Sequence, residues 1–149
     1  MFDKKANPQL EREKNNLVDK DGKLVDNDIG FLMETLKLCQ NLVTLETHSF
    51  DSFCSTNKEL FLTIGKVVRE MRTKYLKMIA KGNDGQVWCM SKHICEILIR
   101  LQELTTRAMS VGDIDMAKDM AKDSQVFIEM FLQLNGYSSE NISLDKTEA

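Results

Sequence analysis

At 149 residues the chain has the length of one domain and can bury a core without disulfide or metal staples. Its 42% hydrophobic and 29% charged content exclude wholesale disorder. The net charge of −3 decides nothing about nucleic acid until its distribution is known. The charged opening from Met1 to Lys14 leads us to expect no secretory leader, and no apolar run approaches the roughly 18–20 residues of a membrane span. Cys39, Cys54, Cys89 and Cys95 form no Cys-x-x-Cys pair and have apolar neighbours, which points to reduced thiols and a cytoplasmic setting.

The single proline, Pro8, leaves nothing after it that forbids helix. Residues 1–27 read as an N-terminal arm, with Asn7 and Pro8 opening a short helix over Gln9 to Asn16. Asp21 and Gly22, set between Leu17-Val18 and Leu24-Val25, read as a tight turn in a small hairpin. The same stretch fits part of a calcium loop. With Gly22 at the invariant sixth position, however, Leu17 occupies the first ligand position, and leucine cannot bind a hard cation.

From Asp28 the period becomes helical, with Leu32, Leu36, Cys39 and Val43 at steps of three and four, and Asp26 or Asp28 as the cap. The Ser/Thr-rich stretch Thr47 to Asn57 predicts a break, because Thr56 and Glu59 form a capping-box pattern for a second helix. The alternative runs the first two helices together, since Phe50, Phe53, Leu60 and Ile64 nearly continue the stripe. Such a rod would need a partner, as in a dimer. Gly82 to Gly85 turns the chain into a third helix carrying Trp88, Gly112 and Asp113 start a fourth, and Asn135 with Gly136 ends it. Met33, Met71, Met90 and Met120 sit at stripe spacing and are expected in the core.

The fold expected is an all-α, up-and-down four-helix bundle with helices over about 28–47, 57–81, 86–111 and 113–135. The bundle domain would span 28–136, followed by a mobile tail over 137–149. The turn from Val111 to Ala117 resembles the helical hairpins of tetratricopeptide-like scaffolds. No second copy follows at that period, so the resemblance goes no further than the hairpin.

Candidate chemistry is sparse, because His48 and His93 are the only histidines. Cys89, His93 and Glu96 share a flank of the third helix, where they could form an activated thiol or a weak metal site, and Glu96 with Arg100 reads as an i,i+4 ion pair. A di-iron bundle needs Glu-x-x-His on two helices, and the chain has none. Neither phosphate-loop glycine pattern occurs. We expect no cofactor, no metal and no catalysis.

Charge is segregated. Lys66 to Lys81 carries six cations against Glu70, and Asp113 to Ala149 carries eight carboxylates against three lysines. Lys66, Arg69, Arg72 and Lys77 are expected to share an outward face of the second helix. That face would be balanced by Asp115, Asp119 and Asp123, or would bind an acidic protein or nucleic acid. The functional expectation is an interaction or assembly protein binding itself or another protein, with self-association through Phe50 and Phe53 and no membrane role.

Overall fold

Asp28 begins the first helix by the expected local device: its Oδ1 accepts from the Phe31 N–H at 3.1 Å. The computed structural model describes residues 17–25, 28–82 and 84–137. In it α1 spans Ile29–Thr56, α2 Glu59–Ile79, α3 Gly85–Ser110 and α4 Ile114–Leu134. The fold is an all-α helical bundle, as the periodicity predicts. Among the described residues no helix is long and apolar enough to cross a membrane.

The first break lies later than the predicted boundary near residue 47. The hydroxyls of Thr47, Ser49, Ser55 and Thr56 each donate to the carbonyl four residues back, at 2.7–3.2 Å, so the Ser/Thr run continues α1 instead of ending it. The chain turns at Asn57, whose left-handed φ of 56° closes the helix end. The capping box does not form: Lys58 occupies the N-cap of α2 without a side-chain bond, and Glu59 is the first helical residue. The two helices are separate, as in the favoured reading. Asp84 and Asp113 cap α3 and α4 by accepting from Gln86 and Met116 N–H groups. Gly136, with φ +72°, ends the bundle after Asn135.

The four helices pair as two antiparallel hairpins, α1 with α2 and α3 with α4, and α1 against α3 is the main junction between them. Their shared core lies at one end, the base. It is built from Leu32, Leu36, Cys39 and Val43 of α1, Leu76 and Ile79 of α2, Ile94, Cys95 and Leu98 of α3, and Phe131 and Leu132 of α4. Trp88 packs half-buried against it. Both tight turns, after Thr56 and after Ser110, lie at the other end. There the helices bury little beyond small seam residues such as Ser49, Ala108 and Ala117. Met71 and Met90, expected in the core, are about half exposed: Met71 precedes the buried Arg72 on the outer side of α2, and Met90 lines an open groove between α3 and α4.

Two residues assigned to the flanks belong to the core. Leu24, in the arm, is 3% exposed, and Tyr137, in the supposed tail, is 5% exposed. The arm's hairpin forms as predicted, with Val18 bridged to Leu24 and Gly22 at φ +76°. Asp19 Oδ1 accepts from the Asp21 and Lys23 amides at 2.8 and 3.0 Å, which makes its carboxylate part of the turn. The expected helix over 9–16 lies outside the described residues.

Candidate functional site

Two contacts fix the register of the first hairpin. Gly65 of α2 packs beside Ser49 of α1, where a Cβ on the glycine would meet Ser49 Cβ at an ordinary contact distance of 3.6 Å. Further along α2, towards its C-terminus, Arg72 Nε donates to Glu46 Oε2 at 2.7 Å. Helix handedness then separates the two sides of the hairpin. Phe50 and Lys66 follow the contact residues Ser49 and Gly65 and face α3, while Leu45 and Met71 precede Glu46 and Arg72 and face away.

On the α3 side lies a groove of about 460 Å³, whose lining includes Phe50, Phe61, Leu62, Gly65, Lys66 and Arg69, with Lys92 and Glu96 from α3. Its aromatic floor is open: Phe50 is 61% exposed. Glu46 also reaches it, but that carboxylate is already held by Arg72. Glu96 Oε2 lies 3.4 Å from His93 Nδ1. Among the described residues, no ion pair joins Lys66, Arg69 or Lys92 to a carboxylate, so the groove presents three uncompensated cations around an apolar centre.

The expected basic face is therefore corrected at one position. Lys66, Arg69 and Lys77 are exposed, but Arg72 is only 3% exposed and points into the seam of the hairpin. Val68, Arg72, Leu76 and Ile79 follow one another at helical steps and are all buried, a spacing that placed Arg72 in the stripe despite its charge. Lys66 and Arg69 reach the groove; Lys77 is not among its lining residues. Phe53 is half-buried and likewise outside it, so Phe50 alone of the expected pair contributes. Lys92, Phe61 and Leu62 were not anticipated, because a groove made by three helices leaves no mark on any one of them.

The expected balance between α2 and α4 is absent: no ion pair among the described residues links these helices. Asp115, Asp119 and Asp123 are exposed.

Of Cys89, His93 and Glu96, the structure brings together only His93 and Glu96, 3.4 Å apart. Cys89 is exposed, and His93 lines a second groove, between α3 and α4, with Met90, Ile97, Phe127 and Met130. Glu96 belongs to the first groove. Arg100 pairs with Glu103 at 3.1 Å rather than with Glu96. Among the described residues no group of three His, Cys, Asp or Glu side chains could hold a metal ion. The buried thiols are Cys39 and Cys95, both pushed up to about 12, chiefly by burial. They lie near each other and near Arg72, whose charge opposes the rise.

Comparison of this chain with protein-family models, with curated proteins and with solved structures gives no match.

Proposed function

We propose that this protein is a non-enzymatic assembly protein that associates with itself through its first helical hairpin. The observation that carries the reading is the exposure of seven large apolar side chains on α1 and α2. Leu38, Leu45, Phe50, Leu60, Leu62, Val67 and Met71 stand 39–63% exposed. Leu38 and Leu45 are seven apart on α1, and Leu60, Val67 and Met71 are seven and four apart on α2, so they form stripes rather than scattered positions. A monomeric protein rarely leaves contiguous apolar surface of this kind uncovered. The free state of all four cysteines suits a reducing compartment, and the proposal places the protein in the cytoplasm.

Absolute mass by light scattering on a sizing column tests this. The wild-type chain is expected to elute as a dimer or larger assembly, and a Leu45→Glu, Met71→Glu or Phe50→Asp chain as a smaller species. A wild-type monomer at tens of micromolar that binds no hydrophobic dye would reject the reading.

A second reading, binding of an acidic protein partner, is favoured by the three unpaired cations around the groove. Nucleic acid is the weaker form of it, because the groove sets only three cations around an apolar centre rather than a continuous basic track.

A further inference from the structure

We infer that the acidic outer face of α4 from a second copy of this chain occupies the basic groove between α1, α2 and α3. The inference rests on the self-association reading and adds a second contact, on the side of the first hairpin away from its outer apolar stripe. On α4 the buried residues Ala117, Phe131 and Leu132 define the side turned to its own core. Opposite them, Asp115, Asp119 and Asp123 recur every four residues, and Val126 and Met130 continue the same face. All five are exposed, Val126 and Met130 at 46% each. None of the three aspartates has an ion pair among the described residues, and Lys122 only borders the face.

The groove is the complement of that surface. It sets Lys66, Arg69 and Lys92 beside the apolar Phe50, Phe61 and Leu62; of its two carboxylates, Glu46 is held by Arg72 and Glu96 lies 3.4 Å from His93. Each surface thus carries a charged part and an apolar part, of opposite sign, and neither is covered within the chain. The charged part attracts and orients, and the apolar part supplies burial, as when an amphipathic helix settles in a groove.

The order of the parts sets a direction. Along α2, Phe61 and Leu62 come before Lys66 and Arg69, whereas along α4 the aspartates come before Val126 and Met130. Matching charge to charge and apolar to apolar lays the incoming α4 antiparallel to α2. Within one copy α2 and α4 both run from the tight turns toward the base. The incoming copy is therefore inverted, which is the relation produced by a two-fold axis across the helices. Two copies exchange α4 faces reciprocally and the assembly closes.

Charge reversal on each side tests this, read by light scattering and by circular dichroism to confirm that helix is retained. Lys66→Glu with Arg69→Glu reverses the groove, and Asp119→Lys with Asp123→Lys reverses α4. Each doubly substituted chain alone is expected to fall below the wild-type mass. Mixed in equal amounts they are expected to recover the wild-type mass, because both groove–helix contacts in the mixed pair join opposite charges. The inference is overturned if both variants keep the wild-type mass at moderate salt, or if they fall apart and do not recombine. In the first case assembly through the outer apolar face stands without it. A wild-type chain that is monomeric at every salt concentration removes the assembly reading as well.

Discussion

The ammonium group of Lys23 lies 2.9 Å from the carbonyl oxygen of Ala80, although 57 residues separate them in sequence. The same nitrogen donates to the Lys77 carbonyl, also at 2.9 Å. Between these two, the Met78 carbonyl receives the Leu24 N–H at 2.9 Å and the Ile79 carbonyl receives the Tyr137 hydroxyl at 2.6 Å. A helix leaves its last four carbonyls without partners of its own. Here every one of them is met from outside α2, by segments near either end of the described chain.

Removing either side-chain donor should therefore weaken the base without touching its apolar packing. Lys23→Met is expected to cost about 1.5 kcal/mol, the range of a hydrogen bond from a charged donor. Tyr137→Phe leaves a buried carbonyl unmet and is expected to cost about 1–3 kcal/mol. Urea midpoints should fall in both variants with unchanged slope. Midpoints equal to wild type would mean that solvent satisfies these carbonyls as well as the side chains do.

The Glu46–Arg72 pair should respond asymmetrically. The Arg72 side chain is 4% exposed and that of Glu46 26%. Glu46→Ala strands a guanidinium in the seam and is expected to cost about 3–5 kcal/mol. Arg72→Met removes the buried charge and leaves a carboxylate that water can reach, so it should cost distinctly less. Replacing both by apolar residues should recover much of the Glu46→Ala loss. A double-mutant cycle in urea decides the matter, and equal costs for the two single changes would contradict the asymmetry.

Alkaline pH should destabilise the fold through the buried thiols. Cys39 and Cys95 rise from 9.0 to about 12 on folding, so between these values the unfolded chain has released protons that the folded chain still holds. With fewer protons on the unfolded state, stability falls as pH rises from about 9 towards 12. Burial raises the Tyr137 hydroxyl too and adds the same sign at the upper end of that range. Thermal midpoints between pH 8 and 10.5 should drop, and less steeply once both cysteines are alanine. Alkylation offers a parallel check: the exposed Cys54 and Cys89 should react in the native state, and Cys39 and Cys95 only on unfolding.

What could be read from sequence was local. Asp28 and Asp113 as caps, and Asn135 with Gly136 as a stop, are devices completed within a few residues, and each stands where expected. The Ser/Thr run from Thr47 is ambiguous in sequence, because a hydroxyl can cap a new helix or bond back into the old one, as it does here. The packing of Ser49 beside Gly65 belongs to a continued helix. Arg72 was placed outward because its partner, Glu46, lies 26 residues away on another helix. Met71 and Met90 show a further limit. A period marks which side of a helix is apolar but not whether a neighbour covers it. The groove around Phe50 draws on three helices and could be seen only once they were assembled.

The placement of the core at the base has a consequence for how the protein is made. Phe131, Leu132 and Tyr137 complete that core, and they follow almost everything else they touch. On the ribosome, α1 and α2 can pair early through contacts close in sequence. Leu32, Leu36, Leu76 and Ile79 stay open until Ile94, Cys95 and Leu98 of α3 emerge, and the core is completed only with the end of α4. For that interval the growing chain holds out part of its most apolar surface, and is then most in need of a chaperone's attention.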